Sequence, residues 1–183
     1  MSNRLCWPIG LLLPVAALIA LPGAVLAGQS PLPADRATIE ACLKREKTSP
    51  ATCINRIYAP CSAKPAGSST VGMEDCAARE LGVWDERLNA AYRKLVGGDL
   101  GKVDALPENR PTEAPIAKAV KGAVLLADME KAWIDFRTRK CDASALTAEG
   151  GTLARTIYST CYFDETARQA LFLQSIVDDL ASR

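Results

Sequence analysis

The stretch Cys76–Val96, CAARELGVWDERLNAAYRKLV, carries the strongest periodic signal in the chain. Ala77, Leu81, Trp84, Leu88, Tyr92 and Leu95 recur at steps of 4, 3, 4, 4 and 3, the spacing that lays side chains along one stripe of an α-helix. A helix with a single apolar face has to bury it against another element, so this stretch calls for partners. Gly97 and Gly98 end the run. Thr70 is placed to cap its start, and Glu74 and Asp75 then fall in the first turn, where carboxylates complement the helix dipole.

The partners lie downstream. A segment with Pro107, Pro111 and Pro115 shows no periodicity and reads as loop. A second long helix is expected from about Ile116 to Lys140, with Leu126, Met129, Trp133 and Phe136 at steps of 3, 4 and 3. A third is expected to start near Asp164, where Ala170, Leu173, Val177 and Leu180 keep the same spacing. No stretch alternates as a strand. The expected fold class is therefore all-α: a small disulfide-stapled bundle of three long helices.

Upstream, CSAKPAGSSTVG, residues 61–72, reads as loop. Before it, Asp35 can cap a short helix, ATIEACLKRE, and Ser49-Pro50 can begin another, since proline suits the first helical position. Cys42 and Cys53 sit one on each arm, and a bridge between them would pin a helical hairpin too small to hold itself.

The extreme N-terminus has the form of an export signal. Arg4 precedes the apolar run LLLPVAALIALPGAVLA, which ends in Val25-Leu26-Ala27, a small-x-small pattern suited to cleavage after Ala27. Pro14 and Pro22 interrupt a run barely long enough to span a bilayer, and a lipid-anchored chain would need a cysteine after the apolar core, whereas Cys6 lies before it. The expected organisation is a signal peptide over 1–27, an N-terminal helical hairpin extension over 28–60 and a helical domain over 61–183. The mature protein is expected in the periplasm or secreted, with no stable membrane insertion after signal cleavage.

Charge and composition then exclude function classes. Removing residues 1–27 takes away Arg4, so Lys+Arg falls from 22 to 21 against 21 Asp+Glu, and a formally neutral chain offers no basic excess for nucleic acid. The histidine count is 0, which removes the commonest general base and the commonest metal ligand together. Without histidine a zinc site would need four well-placed thiolates, and no C-x-x-C occurs, so no metal and no cofactor is expected. Ser-His-Asp and Cys-His catalysis are unavailable, and the chain is not expected to be an enzyme.

Six cysteines remain after Cys6 leaves with the signal: Cys42, Cys53, Cys61, Cys76, Cys141 and Cys161. An even number in an exported chain points to disulfides, but six cysteines allow 15 pairings. A Cys141–Cys161 bridge would close the loop that holds Gly150 and Gly151; in the chain-entropy model a loop of about 20 residues contributes about 3 kcal/mol. A Cys61–Cys76 bridge would tie the loop before the first long helix to its first turn.

Several spaced residues together carry a resemblance: Met73 and Cys76; Trp84, Asp85, Leu88, Asn89 and Tyr92; Ala132, Trp133, Phe136, Arg137 and Cys141; Gly150-Gly151-Thr152; Cys161; and Arg168. In this order they resemble the lysozyme-inhibitor LprI-like N-terminal domain family of exported bacterial proteins, over about Cys61 to Leu173. The resemblance implies an α-helical, disulfide-bonded domain of the bacterial envelope, with Cys61–Cys76 and Cys141–Cys161 as the family-like pairs, which leaves Cys42 for Cys53. It also implies a protein partner, a lysozyme or an endogenous muramidase; the oligomeric state is not set by it.

The motif residues read chiefly as fold determinants. Trp84, Leu88 and Tyr92 lie on the apolar stripe, where aromatics at helical spacing bury. Asp85 and Asn89, four apart, share a face beside it and are expected to hold Arg137, since a buried charge needs a partner; the competing reading makes this trio an exposed patch that meets a partner. For contact, the loop from Asp142 to Gly151 is the better candidate, with Asp142, Ser144 and the tip residue Glu149 joined by Asp85 and Glu86 as possible binding residues. A pre-organised stapled loop lowers the ordering cost of binding. An acidic patch of Glu74, Asp75, Glu80, Asp85 and Glu86 could steer the encounter with a basic lysozyme. Three functional classes compete: a periplasmic inhibitor of lysozyme or another peptidoglycan-cleaving enzyme; a structural or stress-related envelope module that binds another protein or cell-wall ligand without inhibiting; and an enzyme cleaving glycosides with a pair of carboxylates, which fares worst because acidic residues on helix faces are usually solvated.

Overall fold

The computed structural model describes residues 31–105 and 120–183. The signal segment 1–27 and the prolines at 107, 111 and 115 lie outside the described residues. The elements in chain order are α1 (Pro33–Arg45), a 3₁₀ turn (Pro50–Cys53), α2 (Tyr58–Ser62), a 3₁₀ turn (Pro65–Gly67), α3 (Thr70–Gly97), α4 (Asp99–Lys102), β1 (Asp104–Ala105), β2 (Val120–Lys121), α5 (Gly122–Ala145), a 3₁₀ turn (Leu146–Ala148) and α6 (Leu153–Ala181).

The protein is an all-α, disulfide-stapled bundle of three long helices. Contacts between α5 and α6 pair Glu130 with Gln169, Arg137 with Thr166 and Cys141 with Cys161, so these two helices run antiparallel. Early α6 meets early α3 through Arg155 and Glu74, so α3 and α6 run in the same sense. The result is an up-down-up bundle, with α3 and α6 making its most extensive contact.

The core follows the predicted stripe of α3. Ala77, Trp84, Leu88 and Leu95 are buried, and Trp84, Leu88 and Leu95, joined by Val83 and Ala91, pack in one cluster with Leu126 of α5 and Ala167, Ala170 and Leu173 of α6. Ile39, Cys42, Cys53 and Ile57 belong to the same cluster, so the N-terminal segment shares one core with the bundle. Burying the whole of Trp84 in this way is worth several kcal/mol, since truncating such a residue costs about 3–5 kcal/mol.

Several local expectations need correction. Asp35 does not cap α1: Leu32 precedes the helix, Pro33 opens it, and Asp35 is buried within it, receiving two bonds from Arg79. The second arm of the hairpin is a single 3₁₀ turn followed by α2, and the expected loop over 61–72 takes in the end of α2, the turn at Pro65–Gly67 and the start of α3. Ser69, not Thr70, caps α3, accepting the Gly72 N–H at 3.1 Å, which moves Glu74 and Asp75 out of the first turn. Gly72 lies so close to the Pro65–Gly67 turn that a Cβ there would overlap the Ala66 carbonyl.

The later helices are also shifted. α5 begins at Gly122, behind the antiparallel pair Asp104↔Lys121 and Ala105↔Val120, and runs past Cys141 to Ala145. Residues 116–119 of the expected start lie outside the described residues. α6 begins at Leu153, eleven residues before the expected Asp164, so both Cys141 and Cys161 are inside helices and the connection between α5 and α6 is short. The fault lies in one assumption, that a disulfide cysteine marks a helix end. Phe136 is 55 % exposed rather than on the buried stripe of α5, and Leu180 is exposed near the end of α6.

Candidate functional site

Two regions collect the residues singled out by sequence: the tip where α5 turns into α6, and a cleft between α3 and α5. The tip is built by helix termination. α5 continues into the 3₁₀ turn Leu146–Ala148, then Glu149 (φ 50°) and Gly150 (φ 80°) adopt left-handed backbone before α6 starts. Gly150 suits that conformation at no steric cost, whereas Glu149 is a non-glycine residue held there. The turn is closed by backbone bonds from Glu149 to Leu146 (3.0 Å) and from Gly151 to Ala148 (2.8 Å), and by the Thr147 hydroxyl donating to the Ser144 carbonyl (2.8 Å).

Behind the tip, the buried Cys141 is bonded to Cys161 across the two helices. Leu146 is 76 % exposed and Leu153 54 %, one on each side of the turn. A stapled turn that holds two leucines in solvent gains nothing from them in folding, so they are available to a partner. A cleft of about 380 Å³ flanks the tip, lined by Glu74, Ala145, Ala154, Arg155, Tyr158 and Ser159. Burial, helped by the neighbouring Tyr162 and Asp142, raises the Tyr158 pKa above that of a free phenol.

The predicted contact residues divide. Glu149 is exposed on the tip itself. Asp142 and Ser144 are on the last turns of α5, not in a loop, and the Ser144 hydroxyl is turned back to the Lys140 carbonyl. Asp85 and Glu86 lie away from the tip on α3, and Glu86 pairs with Arg36 of α1 at 2.7 Å. The acidic steering patch dissolves: Glu74 pairs with Arg155, and Glu80 is 0 % exposed. Arg168 sits on the exposed side of α6 in an ion pair with Asp164.

In the α3–α5 cleft, the expected Asp85–Asn89–Arg137 network is not formed. Asn89 donates to the backbone and side chain of Asp85 on its own helix, at 2.8 and 3.0 Å. Arg137 instead reaches α6, donating to the Thr166 hydroxyl at 2.8 Å and the Tyr162 hydroxyl at 2.6 Å. Its guanidinium lies 4.3 Å from the ring centroid of Trp133 on its own helix and 3.9 Å from that of Tyr162 on α6, and the second of these cation–π contacts joins α5 to α6. About two turns earlier on α5, the buried Glu130 accepts from Gln169 at 3.0 Å. Burial raises the Glu130 pKa, against the opposing effects of the Gln169 bond and the Arg137 charge.

Sequence reasoning missed Glu130, Tyr162, Thr166 and Gln169, and it placed Glu80 in an exposed acidic patch. For the last three of the missed residues a signal existed, since a helix begun at Leu153 places Tyr162, Thr166 and Gln169 at steps of 4 and 3 on one face. Glu80 and Glu130 gave none, because a carboxylate at a core-facing position reads as a helix-surface charge until its donors are known.

Comparison with known proteins adds one match. The family model described as Lysozyme inhibitor LprI matches residues 61–173, more than half of the chain. No curated protein and no solved structure matches it.

Proposed function

The chain belongs to the lysozyme inhibitor LprI family, and from that premise we propose that it is an extracytoplasmic binding protein that inhibits a lysozyme or another peptidoglycan-cleaving enzyme, with the tip between α5 and α6 as its contact surface. The observation that carries the assignment to the tip is the exposure of Leu146 and Leu153 on a turn fixed by the Cys141–Cys161 bond. Glycan-cleaving enzymes hold their catalytic groups in a cleft, and a narrow, rigid turn with an apolar centre is suited to enter one. Rigidity lowers the entropy lost on binding, while the leucines supply a small desolvated centre.

Three bonded cystines support an oxidising location, the periplasm or outside the cell, and no helix among the described residues is long and apolar enough to cross a membrane. Inhibition by docking needs no catalytic group of this chain, in keeping with an inhibitor family rather than an enzyme. Segment 28–60 serves in this reading as a brace on the 61–183 domain, its Ile39 and Ile57 packed into the shared core. The test is a turbidity assay of bacterial cell-wall lysis with stoichiometric purified protein against chicken-type, goose-type and endogenous muramidases. Slowed lysis by at least one of them supports inhibition; unchanged lysis throughout favours the envelope module without inhibitory activity.

A further inference from the structure

The N-terminal segment does more than extend the core. Where the end of α1 and the Pro50–Cys53 turn meet α3 and α6, they leave a cavity of about 490 Å³, within the range of small-molecule sites (about 300–1,000 Å³). Leu43, Pro50 and Leu171 give it apolar walls, and Leu43 and Leu171 stay only partly buried while packing on the core. Its rim is fixed in advance, because the buried Cys42–Cys53 bond ties the residue before Leu43 to the turn that Pro50 opens. A pocket held by a covalent cross-link loses little freedom on filling.

Charge then narrows the ligand. Lys47, just past α1, and Arg87, on α3, both line the cavity, and neither forms an ion pair among the described residues. Lys47 is exposed and Arg87 half-buried, so both keep accessible surface. Glu86, the acidic neighbour of Arg87, is taken by Arg36. The one carboxylate on the lining, Asp178 of α6, accepts from the Gln174 amide at 2.8 Å. Two cations against one carboxylate leave the cavity with excess positive charge beside apolar walls, which suits a small monoanion with a hydrocarbon body. A guanidinium favours a carboxylate in particular, since a charge-assisted bond is about twice as strong as one between neutral groups.

Most of the lining lies outside the family match: Leu43, Lys47 and Pro50 precede residue 61, and Gln174, Ser175 and Asp178 follow residue 173. The cavity is also remote from the tip, with Ala170 on the order of 25 Å along α6 from Leu153.

We propose that this cavity is a second binding site, for a small amphiphilic carboxylate of the medium-chain fatty-acid class, with its carboxylate at Lys47 and Arg87 and its chain against Leu43 and Leu171. The site is independent of muramidase inhibition, so either assignment can fail without the other.

The experiment is NMR titration of the intact disulfide-bonded protein with sodium octanoate and, in parallel, octanamide, followed at the methyl resonances of Leu43 and Leu171. Octanoate should move both residues saturably, and octanamide should bind at least about tenfold more weakly, as expected for loss of a charge-assisted bond. The double variant Lys47→Gln, Arg87→Gln should bring octanoate down to the level of octanamide. Ser175→Phe, which fills the cavity from its exposed rim, should weaken octanoate about tenfold with unchanged helicity. Should the double variant fail to fold, Ser175→Phe and the acid–amide pair still decide. Equal binding of octanoate and octanamide, no saturable movement of the leucine methyls, or undiminished octanoate binding by either folded variant would overturn the proposal.

Discussion

Glu80 accepts the backbone N–H of Ile57 at 3.0 Å, across 23 residues of chain. The same carboxylate takes the N–H of Tyr58 at 2.7 Å, that of Asn55, and the indole N–H of Trp84 at 3.1 Å. Asn55 adopts left-handed backbone (φ 78°) at the bend that brings these amides round, a conformation asparagine tolerates better than most residues. One buried side chain of α3 thereby satisfies the turn that leads into α2, and it does so with most of its acceptor capacity used. Glu80→Ala would leave two buried and two partly buried donors without an acceptor, and a loss of roughly 3–5 kcal/mol is expected by chemical denaturation. A loss below about 1 kcal/mol would mean that water replaces the carboxylate.

Asp85 and Arg137 should separate in their effects, because the cation is held by α6 and not by Asp85. Asp85→Ala is expected to change stability by no more than about 0.5 kcal/mol, as for other exposed side chains with local partners. Arg137→Ala removes two hydrogen bonds and two ring contacts and should cost about 2–4 kcal/mol. Equal losses in thermal melts of the two variants would restore the Asp85–Arg137 network.

Removing the Cys141–Cys161 bond as the double alanine variant should lower stability by about 3 kcal/mol, the chain-entropy value for a closed loop of this size. The bridged cysteines are 20 residues apart. The bundle should remain helical in circular dichroism, since the Arg137 clamp and the Lys140–Glu165 pair still join α5 to α6.

The pH dependence of stability should carry a mark of Glu130. Burial raises its pKa above the ordinary value of 4.5, so the folded chain holds this proton more tightly than the unfolded one. Between the two pKa values the native state binds more protons, and the contribution of Glu130 to stability falls as pH rises through that window. Glu130→Gln keeps an acceptor for Gln169 and has no charge to bury. Denaturation at pH 4 and pH 7 should therefore show the variant gaining on the natural protein at the higher pH. A constant difference between the two would remove this role.

Much of the fold was legible because it rests on periodicity. The stripe through Trp84 and Leu88 identified α3 and its buried side, and the Ala170–Leu173 spacing identified α6. What escaped was decided by partners distant in sequence. Cys161 looked like a boundary because nothing local reveals that its bond joins the third turn of one helix to the last turns of another. Arg137 looked like a partner for Asp85 because the start of α6, and with it Tyr162 and Thr166, was placed too late. At the tip, Glu149 and Gly150 were legible as turn residues, while the exposure of Leu146 depends on α5 running one turn beyond Cys141.

The most direct test of the tip as the inhibitory surface compares the natural protein with Leu146→Glu in the cell-wall lysis assay, across the same muramidases. Leu146 makes little contact with the fold, so the variant should melt at the same temperature, within the effect of an exposed substitution. The account predicts that a muramidase stopped by the natural protein requires about tenfold more of the variant, because a charge then replaces the apolar centre of the contact. Equal inhibition by the two proteins, or no inhibition by either, would contradict it.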